Sequence, residues 1–441
     1  MKKYPKKIEL LAPVGSLPKL QTALAFGADA VYLGAPDFSL RVGENKFTLP
    51  QIQQAISICR AAKKKIYLTT NTYPRDTDFP KLEKFLKKIR ATPPDAFIFS
   101  DLGVLRVIQK YLPKTPLHLS VQANSVNSEA IKVWWQLGVR RVILARELSL
   151  KEIQKIIRNN PRMEFETFVH GSICMSYSGR CLLSMFLSGR DANRGQCTQP
   201  CRWEFKMRNK CKMQNLKCKT GVNFRDNFGA GAEFALEEEQ RPGEYFPLEE
   251  DAQGSYILNS RDLCLIEKIP ELVGAGVCSF KIEGRNKTVG YLAAIVHAYR
   301  RALDDFLAKK PFDRKLLEAV GQVGNRKFTL GFFDGSLQNL QNYERSGIEN
   351  PQSFLGLVEK FEDGFVSLEP KNRFEKGDKI EALIPRAGLK KLKIREIRDE
   401  KFKEILTAHG GQREKVWVRL GVELPPFTLL RRRVKSQTGN S

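Results

Sequence analysis

From Ile8 to about residue 306 the chain alternates short apolar runs with stretches of helical periodicity. The runs are IELLAP (8–13), AVYLG (30–34), KIYLTTN (65–71), AFIFSD (96–101), LHLSVQAN (117–124), RRVILAREL (140–148), FETFVHG (165–171), YILN (256–259) and SFKIEG (279–284). Helical patterns fall at 17–26, 50–63, 81–90, 128–137, 149–158 and 262–273; another lies between AFIFSD and LHLSVQAN, and a long one runs to about 306. A parallel neighbour strand is reached only through a crossover, so this alternation predicts βαβ units. About eight such units, spaced roughly 25–35 residues apart, fit a closed TIM-like (β/α)8 barrel better than an open sheet. No G-x-G-x-x-G follows the first run, which argues against a dinucleotide-binding doubly wound sheet. The predicted class is α/β.

The pattern changes from Phe354 onward to short alternating strands: LGLVEKF, GFVSLEP, GDKIEALIP, KLKIREIR, KVWVRLG and FTLLRRR. Turns such as Glu362-Asp363-Gly364 and Lys376-Gly377-Asp378 separate them. Close spacing of this kind predicts a small all-β barrel. The expected organisation is a barrel domain over 1–306, a polar connector over 307–350, a C-terminal β domain over 351–435 and a tail at 436–441. Residues 206–251 look inserted into the first domain. Six lysines or arginines fall between Lys206 and Lys219 with no acid among them, and seven acids face one arginine from Glu237 to Asp251. Segregated charge without hydrophobic periodicity predicts a mobile loop, centred on about 206–241.

The chemistry concentrates in one segment, 171–205. Cys174, Cys181, Cys197 and Cys201 sit there among glycines and small polar residues, with gaps of six, fifteen and three residues. A structural zinc site usually shows two tight cysteine pairs. Here only the second pair is tight, and a wide first gap suits a loop wrapping a larger group such as an iron–sulfur cluster. Structural zinc and plain redox thiols remain alternatives. Cys59, Cys264 and Cys278 lie in apolar patterns and read as small core residues. Cys211 and Cys218 in the insert repeat the six-residue gap, without neighbouring ligands.

Barrel enzymes work at the C-terminal ends of their strands. The residues expected there are Asn71, Asp101, Gln122 with Asn124, Arg146 with Glu147, His170, and Glu283 with Arg285. Arg41 follows the second strand on a loop. Asn71, Gln122, His170 and Glu283 are the candidates for catalytic roles. His170 precedes Cys174 by four residues, so a Cys–His nucleophile pair is conceivable; it would leave three clustered cysteines without a role. A zinc peptidase helix motif H-E-x-x-H is absent.

The net charge of +25, from 74 basic and 49 acidic residues, favours a polyanionic partner, nucleic acid before an anionic membrane surface. Neither a signal-peptide pattern nor an apolar run of roughly 18 residues is present, so a cytoplasmic protein is expected. In a reducing compartment nine cysteines point to ligands and buried thiols, not disulfides.

Five stretches together resemble the collagenase-like peptidase U-32 family: ELLAPVGSLPKLQTALAFGADAVYLG (9–34), FVHGSICMSYSGRCLLS (168–184), GQCTQPCRWEF (195–205), ILNSRDLCLI (257–266) and SFKIEGRNK (279–287). The likeness covers nearly the whole chain and is most specific in the cysteine segment. It is greatest to the family's tRNA-hydroxylating branch. The resemblance implies a 4Fe–4S cluster on Cys174, Cys181, Cys197 and Cys201. It implies oxygen-independent 5-hydroxylation of the wobble uridine of tRNA, with prephenate as cosubstrate. Arg41, Arg180 and Arg285 would then hold this dicarboxylate, since guanidinium groups fork onto carboxylates. Relatives that act on ribosomal RNA or a quinone precursor, and the peptidase label itself, supply the alternatives. The longer insert with its two extra cysteines departs from the family pattern.

Overall fold

The computed structural model describes residues 8–40, 47–174, 176–202, 260–336, 340, 351–411 and 414–434, and the backbone of short strands at 205–209, 234–238, 245–248, 250–251 and 254–255. Eight parallel strands form the barrel: β1 (Glu9–Pro13), β2 (Ala30–Gly34), β3 (Lys65–Thr70), β4 (Ala96–Phe99), β5 (Leu117–Leu119), β6 (Arg141–Ile143), β7 (Glu164–Ser172) and β8 (Ser279–Ile282). Each pairs with the next, and β8 pairs in parallel with both β7 and β1, which closes the sheet. The helices α1 (Leu17–Ala25), α2 (Leu49–Ala61), α3 (Phe79–Ile89), α4 (Leu102–Tyr111), α5 (Ser128–Gln136) and α6 (Leu150–Asn159) follow the first six strands. Their starts are written locally. Ser16, Thr48, Asp101, Asn127 and Ser149 each accept a backbone N–H of the helix they precede, which satisfies an otherwise orphaned donor. The strands are apolar on both faces because helices cover one and the barrel interior the other; Leu10, Val31, Phe97, Phe99 and Phe280 are all fully buried.

The stretch 262–273 differs from expectation. Asp262–Cys264 is a strand, antiparallel to the end of β7, and only Ile269–Ala275 is helical (α8). Two causes act here. Strand β7 runs past the barrel rim and offers an edge at His170–Ser172, where Asp262–Cys264 completes the hydrogen bonding. Pro270 then fits the first turn of α8 and sets its start. The expected strand 256–259 lies outside the described residues, as do most of the insert at 206–241 and Cys211 and Cys218. A 19-residue helix, α9 (Val289–Leu307), follows β8. The connector contains α10 (Lys315–Gly321) and a short strand, Phe328–Thr329, that extends the sheet beside Asp262–Leu263.

The C-terminal region is all β. One antiparallel sheet orders its strands as β9 (Gln352–Leu357), β12 (Leu429–Arg433), β10 (Lys379–Ile384) and β11 (Gly388–Lys393). A second is built from Lys360–Glu362, Phe365–Leu368, Val416–Arg419, Glu396–Arg398 and Glu404–Ile405. The two share a core of their own around Val366, Phe374, Ile397 and Leu424. Leu383 and Leu429 belong instead to the barrel's core cluster, so apolar contact joins the two regions.

Candidate active site at the mouth of the barrel

Strand β7 sets up the site. Beyond its pairing with β8 it makes a close approach at Gly171, which sits at φ +107°; a Cβ there would stand 2.7 Å from the Glu283 carbonyl oxygen. Only glycine meets both demands. The chain then passes over the mouth as the cysteine segment.

That segment is short turns held by side chains. Glu147, in the loop after β6, accepts from the Ser178 N–H (2.5 Å) and hydroxyl (2.9 Å). The Gln122 amide donates to the Gly179 carbonyl at 3.3 Å. Arg180 Nε donates to Tyr73 Oη and to the Gln122 carbonyl, each at 2.9 Å. Asn193 brackets Cys181, accepting its N–H at 3.2 Å and donating to its carbonyl at 3.0 Å. The helix α7 (Leu183–Ser188) ends on Gly189 in the left-handed region.

All four cysteines of the segment line one cavity of ≈ 150 Å³, together with Asn71, Gln122, Arg146, Lys281, Glu283 and Arg285. Cys197 is exposed, and Cys174, Cys181 and Cys201 are half-buried. Backbone amides point at two of the sulfurs, Leu183 N–H at Cys181 Sγ and Gln199 N–H at Cys197 Sγ, both at 3.3 Å. Such donors favour a sulfur that carries negative charge. Among the described residues no three Cys, His, Asp or Glu side chains converge as ligands of a single ion; the thiols stand around a cavity. Cys59, Cys264 and Cys278 lie elsewhere, and burial pushes their thiols up to about 12, 11 and 12. That agrees with a packing role.

The other sequence candidates separate into those that reach the cavity and those that do not. Asn71 is buried, accepts the Leu40 N–H at 3.3 Å and donates to Ser120 Oγ at 3.3 Å. Gln122 is buried too, and its Oε1 meets no donor among the described residues. Glu283 accepts the Ser172 N–H at 3.3 Å. Arg285 donates to Ser39 Oγ at 2.5 Å and to the Leu40 carbonyl. Arg146 donates to the Ser172 carbonyl at 2.6 Å and also lines the cavity. Arg180 is not among the lining residues; it braces the rim from outside. Arg41 lies outside the described residues. Asp101 caps α4.

His170 does not line the cavity. It packs against Tyr299, Phe328 and Tyr291 at centroid distances of 5.4, 5.5 and 6.1 Å. Burial, reinforced by Lys287 and opposed by Glu283, pulls its imidazole down to about 3. A Cys–His nucleophile pair therefore has no base in place.

Lys281 was not singled out from sequence, although a lysine in the apolar run SFKIEG was the available signal. Two residues before Glu283 on β8, it shares a face with Glu283 and lies deeper in the barrel. Its Nζ sits 2.7 Å from Glu166 Oε1 and 4.2 Å from the centre of the Tyr32 ring. Burial pulls the ammonium below the usual lysine range, and Glu166 opposes that shift. Behind it runs a buried network: Arg141 bonds Glu9 (2.7 Å) and Glu166 (3.4 Å), and Tyr67 and Ser279 donate to Glu9 at 2.6 and 2.8 Å. The cavity is thus cationic at its base, amide-lined on its wall and thiol-lined under its cover.

Comparison with known proteins agrees with this architecture. Residues 15–342 match the model of Peptidase family U32, and residues 350–431 match the Peptidase family U32 C-terminal domain. The chain is 41% identical to tRNA hydroxylation protein P of Escherichia coli, over 87% of each chain. It is 37% identical to the protein of that name from Haemophilus influenzae, over 98% of each. A more distant likeness, 30% identity over 69% of this chain and 40% of the relative, links it to the 23S rRNA 5-hydroxycytidine C2501 synthase of Escherichia coli. The chain belongs to peptidase family U32.

Proposed function

We propose that this protein is an RNA hydroxylase that acts on carbon 5 of the wobble uridine of tRNA. The observation that carries the reading is the shared wall of one cavity: four cysteines stand there beside Gln122, Asn71, Lys281 and Glu283. Two full-length relatives named for tRNA hydroxylation and a third named for a 5-hydroxylated cytidine support the pyrimidine-hydroxylating class.

Cys174, Cys181, Cys197 and Cys201 would hold an iron–sulfur cluster of the 4Fe–4S type. Four thiolates around a cavity suit a polynuclear group, and amide donors to Sγ suit its charge. When bound, it supplies one-electron transfer. The chain's own residues do the rest. Gln122 Oε1, a buried acceptor, receives a donor such as the N3–H of uracil. Asn71, held by Leu40 and Ser120, keeps its amide fixed beside it. Lys281 and Arg285 supply positive charge to a dicarboxylate cosubstrate, proposed as prephenate, with Arg146 next to it. The loops 176–181 and 192–202 form the cover of the cavity.

The test is direct. A strain lacking the protein is analysed for tRNA nucleosides, and the protein is purified without oxygen and assayed for iron and sulfide. Loss of 5-hydroxyuridine derivatives in the strain and iron bound in proportion to intact cysteines are expected. Unchanged nucleosides would sink the tRNA claim. Iron-free protein after anaerobic reconstitution would sink the cluster.

A further inference from the structure

A second, larger concavity lies between the barrel and the C-terminal region, with a volume of ≈ 880 Å³. Lys19, Lys287, Lys371 and Arg431 line it, and among the described residues no carboxylate does. Resting on the reading above, we propose that this groove holds the phosphodiester backbone of the RNA whose target base enters the cysteine cavity.

Three observations carry the assignment. The first is charge. Arg431 is paired with Glu381 at 3.0 Å, and Lys371 with Glu369 at 2.6 Å in a half-exposed pair at the rim. Neither carboxylate lines the groove, so the surface presented to a ligand is cationic. The half-exposed Lys371–Glu369 pair is worth little and exchanges readily for a phosphate, whereas the Arg431–Glu381 pair is buried and stays as part of the wall. The first turn of α9, 19 residues long, opens on the same wall and adds the positive end of its dipole.

The second is continuity with the cavity. Arg285 lines the cavity, and the next two residues, Asn286 and Lys287, line the groove. Lys19 Nζ donates to the Arg285 carbonyl at 2.8 Å, so the two concavities share one brace. The cavity reaches the C-terminal end of β8 through Glu283 and Arg285, and the groove begins at the residue that follows. A strand of RNA with one base in the cavity lays its neighbouring phosphates here.

The third separates RNA from a bare anion. Gln352 is buried on the groove wall, and its Nε2 donates to Glu381 Oε2 at 3.2 Å. A carboxylate only accepts, so the amide cannot be turned round. Its Oε1 is left without a donor among the described residues. A phosphate oxygen cannot satisfy that acceptor; a ribose 2′-hydroxyl can.

The experiment measures binding of fluorescently labelled tRNA by anisotropy across a series of KCl concentrations. The wild type is compared with Lys287→Gln/Lys371→Gln. A control, Lys390→Gln/Lys391→Gln on β11, removes the same charge from residues that do not line the groove. Loss of two phosphate contacts is expected to weaken binding about tenfold and to lower the slope of log Kd against log salt by about 2. The control should stay within about twofold of the wild type. Asn372→Glu, which sets a carboxylate in the groove, should weaken binding on its own, so the test does not hang on one variant folding. Equal affinity and slope in groove and control variants, with melting temperatures matched, overturns the groove and leaves the hydroxylase reading standing. A wild type that binds no tRNA overturns both.

Discussion

His170 offers a measurement that separates a packed histidine from a catalytic base. Its imidazole is 1% exposed and is held to about 3 by burial, against about 6.5 in an unfolded chain. The folded value is depressed, so the unfolded state binds the extra proton between these two limits. Stability from this group is complete above about pH 6.5 and is lost progressively as pH falls toward 3. Each pH unit in that window costs about 1.4 kcal/mol, or about 2 kcal/mol by pH 5 relative to pH 7.5. Other groups titrate over the same range, so the difference between two proteins is the quantity to read. Urea unfolding of wild type and His170→Leu at pH 7.5 and 5.0 should show the variant losing about 2 kcal/mol less on acidification. Leucine suits the aromatic surroundings, and Tyr299 keeps its donation to the Val169 carbonyl at 2.7 Å. Equal losses in the two proteins would refute the reasoning, because they would mean that His170 accepts a proton in the folded state without penalty. The same variant should keep tRNA hydroxylation near neutral pH, which a His170 general base would not allow.

Three further outcomes follow from the geometry. Arg141→Met removes the cation that bridges Glu9 and Glu166 and should cost about 3–5 kcal/mol in urea unfolding; Glu9→Gln added to it should restore part of that, and no recovery would mean that the two sites do not communicate. Gly171→Ala should lower the melting temperature, equivalent to about 1–3 kcal/mol of backbone strain, because the new Cβ meets the Glu283 backbone; an unchanged melting temperature would contradict this. Brief iodoacetamide treatment of protein stripped with a chelator at pH 8, read by mass spectrometry, should label cysteines of the cavity and spare Cys59, Cys264 and Cys278, whose thiols burial holds at about 11–12. Labelling of Cys59 at a comparable rate would show that the barrel opens there.

The barrel could be read from the chain because each βαβ unit carries its own local signals: an apolar run, a helix of 3.6-residue periodicity and, in most, a cap such as Ser149 with Glu152. These do not depend on distant partners. The misreading of 262–264 shows the limit. Asp262-Leu263-Cys264 followed by further apolar residues is compatible with a helix, and what makes it a strand is the free edge at His170–Ser172, some ninety residues earlier. The same division runs through the site. The cysteine cluster was visible because its members lie close in sequence, and Asn71, Gln122 and Glu283 because each follows a barrel strand. His170 follows the same rule and yet misses the cavity, since β7 continues past the rim and turns its ring toward Tyr299.

Lys281 was hidden for the opposite reason. Its partners Glu166 and Tyr32 lie on β7 and β2, and only closure of the sheet places them around one ammonium. An isolated lysine in an apolar barrel strand is unfavourable; with Glu166 at 2.7 Å it becomes tenable, and Arg141 then keeps the two buried carboxylates, Glu9 and Glu166, from facing each other uncompensated. The barrel therefore carries its charge as one connected unit running from the Glu9 end to the cavity. The fold supplies a fixed cation where an anionic cosubstrate or a pyrimidine carbonyl would meet it, held from behind by Glu166 and from the cavity wall by Tyr32.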